Sequence, residues 1–125
     1  MSNWRQRMSK LVVRNLTRGT ILAEAASLAG TSATRLKGLL GRTSFPSGEG
    51  LWIAPCEAVH TIGMQFPIDV LFLSRNRQVV KIRHRVPSWR LAACLRAHSV
   101  LELPAGTALS TKTEPGDHLD ISEVN

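Results

Sequence analysis

The apolar residues of this chain come mostly in short β-branched or aliphatic runs divided by Gly, Pro and Asn turns, and one stretch has helical spacing. Such punctuation, with a single helical stretch, fits an antiparallel α+β or small barrel-like fold better than parallel βαβ units, which require several crossover helices. Lys10–Asn15 and Gly19–Leu22 read as a hairpin, with Gly19 free to take positive φ. Leu51–Ala54, Val59–Ile62, Phe66–Leu73, Gln78–Val86, Ser99–Leu103 and His118–Ile121 read as further strands, while Leu91–Arg96 is ambiguous. From Ser32 to Leu40, the apolar Ala33, Leu36, Leu39 and Leu40 recur at helical spacing, with Thr31 or Ser32 as N-cap and Gly41 as stop. Pro46, Gly48 and Gly50 make Thr43–Gly50 a loop. The fold class expected is α+β, mainly β: a small antiparallel, barrel-like or sandwich domain with one short amphipathic helix over Ser32–Leu40.

With 125 residues, 43% of them apolar, the chain suits one core. A polar, basic extension over residues 1–9 and a single globular domain over 10–122 are expected. The formal charge is +7, yet only 20% of residues are charged, which excludes a disordered basic tail as the main description. No apolar run approaches the eighteen or so residues of a membrane helix, and Leu11-Val12-Val13 is too short for the apolar region of a signal peptide. A cytoplasmic protein is expected. Cys56 and Cys94 are too few for a disulfide framework and would stay thiols in a reducing compartment, a Cys56–Cys94 bridge being the alternative on export.

A series of motifs in order carries a family resemblance. Arg35-Leu36-Lys37-Gly38-Leu39-Leu40-Gly41-Arg42, Gly50-Leu51-Trp52-Ile53, Pro55-Cys56, His60-Thr61, Gly63-Met64, Phe66-Pro67-Ile68-Asp69-Val70-Leu71-Phe72-Leu73, Leu101-Glu102-Leu103-Pro104-Ala105-Gly106 and Gly116-Asp117 resemble the bacterial and archaeal domain-of-unknown-function family 192. The resemblance spans about Lys10–Ile121 and implies a strand-rich single domain with one helix. It implies no activity.

Three groups of residues are candidates for chemistry. Cys56, His60 and Met64, four apart, would offer soft ligands to Cu(I) or Zn(II) from one helix face. Extended backbone instead spreads i, i+4 residues about 13 Å apart, so no metal and no cofactor are expected. Cys56 and His60 could also pair as nucleophile and base, oriented by Asp69 or Glu57. Asp69, inside the apolar run, needs a partner or a cavity, and Arg35 and Arg42 are the expected counter-ions. Glu102 raises the same demand and is expected to pair with an arginine on a neighbouring strand. Trp52 and Trp89 flank turns, where one can stack a ligand or close the end of a barrel core. A mostly apolar ligand pocket is expected among Trp52, His60, Met64, Asp69, Trp89 and Arg35.

The charge is also local. Seven cations and no acid lie between Arg75 and Arg96. Period-2 alternation would put Lys81, Arg83 and Arg85 on one face of the strand, with Arg90 just beyond, either as a basic face for an anionic partner or as a charged edge that blocks aggregation. No base-reading motif is present, so nucleic acid is not the favoured partner. These observations favour a non-enzymatic domain that binds a small ligand or an acidic protein through the pocket and the basic face. The alternatives are a cysteine- or metal-dependent enzyme using Cys56 and His60, or non-specific binding of nucleic acid or another polyanion through Arg75–Arg96.

Overall fold

The computed structural model describes residues 11–29, 39 and 41–123. Most of the expected Ser32–Leu40 helix, with Arg35, lies outside the described residues; Leu39 is among them and is buried. The described strands are β1 (Leu11–Asn15), β2 (Thr20–Ala29), β3 (Glu49–Ile53), β4 (Ala58–His60), β5 (Ile68–Leu73), β6 (Val79–Val86), β7 (Leu91–Ala93), β8 (Ser99–Pro104) and β9 (Leu119–Glu123). One short helix, α1 (Thr107–Ser110), follows β8. The domain is thus mainly β with a short helix. Among the described residues no helix is long and apolar enough to cross a membrane.

Seven strands form one sheet in the order β6-β5-β8-β3-β2-β1-β9, and β4 and β7 pair apart from it. The expected hairpin is β1–β2, with Gly19 at φ 72°. Pairing is antiparallel except between β2 and β3, which run parallel, a departure from the all-antiparallel expectation. The sheet curls until its edges meet. An antiparallel bridge joins Gln78 to His118, and the Val79 amide donates to the Asp117 carbonyl at 2.8 Å.

Side-chain alternation sorts the sheet into two cores. Leu11, Val13, Leu22, Ala23, Ala26, Leu71, Leu73, Leu101 and Leu103 fill the inside of the curl. Gly50 is required there: a Cβ would come within 3.1 Å of Leu103 Cδ2 and 3.3 Å of Ala23 Cβ. On the outer face, Ile53, Ile68, Val70, Phe72, Val86 and Val100 pack with Val59 and Ala92 of the β4–β7 ribbon and with Met64 and Cys56. Burial on both faces explains why β5 and β8 read as continuous rather than alternating runs. The ribbon has three residue pairs, so it depends on this packing for its order.

A candidate interaction surface

Thr61 organises the end of the ribbon. Its side chain, 1% exposed, donates to the Pro87 carbonyl at 2.7 Å and accepts from the Arg90 amide at 2.9 Å. Its own amide donates to the Arg90 carbonyl, and its carbonyl accepts from the amides of Trp89 and Met64. Ser88 Oγ adds a bond to the Met64 carbonyl. The segment after β6 is therefore sewn to the segment after β4, and Trp89 is held at φ 64°, where a bulky residue is strained. Trp89 is nonetheless 67% exposed, beside Leu91 at 71% and Ile62 at 47%. His60 pairs in register with Leu91, is exposed, and accepts from the Ile62 amide through Nδ1. Arg90 lies next to Trp89 with its guanidinium on the Ser88 and Trp89 carbonyls.

The basic residues of β6 do not form one stripe. Lys81 faces Phe72, with Nζ 5.8 Å from the ring centre and donating to the Ala93 carbonyl at 3.0 Å, so it ties the ribbon to the sheet. Arg83 is exposed opposite Val70. Beyond it the register slips, with Arg85 at φ 48°, and the guanidinium of Arg85 turns toward Gly106, where a Cβ would stand 3.1 Å from Nη2. Period 2 fails at this bulge because the extra residue rotates the side chain out of the row.

Asp69 explains the bulge. Fully buried, it accepts from the Arg85 amide through Oδ1 at 2.9 Å, and from the amides of Gly106 and Ala108 through Oδ2 at 3.1 and 2.9 Å. Its partners are backbone amides and not the expected arginines; Arg42 pairs with Glu49 at 2.9 Å, and Arg35 lies outside the described residues. The expected Glu102–arginine pair does not form among the described residues either. Glu102 sits between Val70 and Leu51, 5% exposed, and burial pushes its carboxyl up to about 7.

The described members of the expected pocket are divided by the sheet. Asp69 shares the inner face of β5 with Leu71 and Leu73, and Trp52 packs on the same inner core, while Met64 belongs to the outer one. His60 and Trp89 are on the surface. Trp52 packs against the inner core beneath the Arg77 guanidinium, which lies 4.8 Å from its ring centre. Cys56 and His60 also part: the Cys56 thiol is 8% exposed and donates to the Ala58 carbonyl at 3.1 Å, whereas His60 projects beside Leu91. No group of three His, Cys, Asp or Glu among the described residues is placed to hold a metal ion. Cys56 instead lines an open groove of about 380 Å³ with Pro55, Glu57, Ala58, Ala97 and His98. Both cysteines are thiols.

Thr61 escaped the sequence reading, because a threonine between strand and turn carries no signal of the distant carbonyl and amide it will bind. The exposed Leu91 and Ile62 were equally silent.

Comparison with known proteins agrees with this fold. The family model described as "Uncharacterized ACR" (DUF192) matches residues 13–121. No curated protein matches the chain. A protein of unknown function from Novosphingobium aromaticivorans DSM 12444 superposes with a TM-score of 0.72 at 23% identity, covering 88% of this chain and 82% of that one. A crystal structure from Sinorhizobium meliloti 1021, described as that of a candidate transcription regulator, superposes with a TM-score of 0.78 at 21% identity, covering 90% and 92%.

Proposed function

Since the chain belongs to the domain-of-unknown-function family 192, whose name carries no activity, we propose that it is a non-enzymatic binding domain whose contact surface is Trp89, Leu91 and Ile62, rimmed by His60, Arg90 and Arg83. Its partner is an acidic protein segment with an apolar anchor. The observation that carries this reading is Trp89: a large aromatic, 67% exposed, kept in left-handed backbone by the hydrogen bonds around Thr61. An ordinary surface position would not hold a tryptophan in this conformation, whereas a pre-ordered aromatic anchor spares its partner the cost of ordering it. Arg83 and Arg90 make no ion pair among the described residues, and no acid occurs between Val70 and Leu101, so the rim attracts anions.

The test is a fluorescence titration of the protein against a synthetic peptide alternating Asp or Glu with Leu, a charge-reversed peptide, and a mixed-sequence DNA duplex. The acidic peptide should bind, the charge-reversed one should not, and Trp89→Ala should weaken binding by about 30-fold or more, as loss of a central aromatic anchor does. Equal affinity for Trp89→Ala and wild type sinks the proposal. Preference for the duplex, with affinity dropping steeply between about 50 and about 200 mM salt, replaces it with polyanion binding.

A further inference from the structure

The two cysteines flank the ribbon that carries this surface. Cys56 lies two residues before β4 and Cys94 directly after β7. The ladder places Ala58 opposite Ala93, and beyond it the Cys94 amide donates to the Glu57 carbonyl at 2.9 Å while the Cys56 amide donates to the His98 carbonyl. Cys56 and Cys94 are therefore one step off register on adjoining backbone, where Cα atoms of a regular ladder lie about 6 Å apart, within the span of a disulfide. Alternation alone would send the two side chains to opposite faces. The backbone bends at Pro55 and Glu57 and leaves the ladder at Cys56, so strict alternation does not run on to it, and Cys94 packs against the same outer core that holds Cys56. The groove along Pro55, Glu57, Ala97 and His98 opens onto Cys56 and gives a small molecule a place to lie against its sulfur.

We propose that Cys56 and Cys94 form a redox modification site that is oxidised by a low-molecular-weight disulfide seated in this groove. Cys56, deprotonated, attacks one sulfur of the small disulfide; the S–S bond breaks, a mixed disulfide forms on Cys56, and one thiolate leaves. Cys94 then gives up its proton and attacks the Cys56 sulfur, which releases the second small thiolate and closes the Cys56–Cys94 bond. Two electrons pass from the cysteine pair to the small disulfide, and the two cysteine protons end on the two released thiols. The bond closes the end of the ribbon away from Leu91 and Ile62. Its effect on partner binding rests on the function proposed above; the bond itself does not.

Glutathione disulfide is the probe. The reduced full-length protein is incubated at graded ratios of oxidised to reduced glutathione, and intact and peptide masses are read after acid quenching. Wild type should lose the mass of two hydrogens and yield a peptide linked through Cys56 and Cys94, while Cys94→Ser should stop with one glutathionyl group on Cys56. Hydrogen exchange at Ala92 and Cys94, the hydrogen-bonded positions of the ladder, should slow by at least about tenfold in the oxidised protein. Wild type that accumulates glutathionyl adducts with no linked peptide, or that links only after unfolding in urea, overturns the proposal. If the linked peptide forms but acidic-peptide affinity is the same in both redox states, the site stands and only its coupling to the surface fails.

Discussion

Asp69 and Glu102 are diagonal neighbours on β5 and β8 that point to opposite faces of the sheet, and their surroundings give them opposite behaviour. Asp69 gathers three amides, so Asp69→Ala should cost about 3 to 5 kcal/mol, read as a lower urea midpoint at unchanged slope. Asp69→Asn should rescue it only in part, because its single amide oxygen can accept in place of one carboxylate oxygen while its nitrogen cannot accept in place of the other. Glu102 has its carboxyl raised from an ordinary 4.5 to about 7 by burial. Between those values the unfolded chain has released the proton while the folded chain retains it, so stability declines as pH rises from about 4.5 to about 7, by about 3 kcal/mol in all. Glu102→Gln should flatten that decline in urea titrations at several pH values. That Asp69 would be buried and would need partners was legible in the run Phe66–Leu73. The partners were not, since backbone amides have no residue signature, and the arginine expected for Glu102 depended on a strand order that places Leu51 and Val70 beside it instead.

Among elements, the segment from β6 to β7 trades stability for display. Trp89→Gly relieves the left-handed backbone and should leave the urea midpoint unchanged or raise stability by up to about 1 kcal/mol while removing the anchor. Thr61→Val strips the Arg90 amide of its acceptor and the Pro87 carbonyl of its donor, and should cost about 2 to 3 kcal/mol, with faster hydrogen exchange at Arg90 as the local readout. Strand positions were the most legible level. Gln78–Val86 became Val79–Val86, and Phe66–Leu73 shed Phe66 and Pro67, since a proline cannot donate to a ladder. The row of Lys81, Arg83 and Arg85 was lost to a bulge that Asp69 imposes from the next strand, a contact that alternation within one strand cannot reveal. The ambiguous Leu91–Arg96 resolved into a strand of three residues that exists by packing on the outer core.

For the whole molecule the decisive contacts are those that close the curl. Asp117, 3% exposed, accepts from Asn15 Nδ2 at 2.9 Å, Arg18 Nε at 3.0 Å and the Glu114 amide at 3.0 Å. Burial opposes its charge, but the bonds from Arg18, Asn15 and Glu114 outweigh it and hold its carboxyl below 3.8. Its contribution is present at neutral pH and is lost as pH falls through that lowered value. Combined with the opposite slope of Glu102, this places maximal stability in mildly acidic solution, near pH 4 to 5. Thermal melts across pH should show that maximum, and Asp117→Asn should flatten its acid side. None of this closure was legible, because it joins Asn15 to Asp117 across 102 positions, and no local pattern specifies that β1 will lie between β2 and β9.

The pairing of β1 with β9 has one more consequence. Leu11 and Glu123 are direct partners, so the first and last described residues lie at a single corner of the sheet, with their backbones about 5 Å apart. A unit with that geometry can be grafted into a surface loop of a host protein without prying the host's flanking segments apart. By the same token, a short tether from Glu123 to Leu11 would let the ring of chain be cut open elsewhere with its sheet order intact.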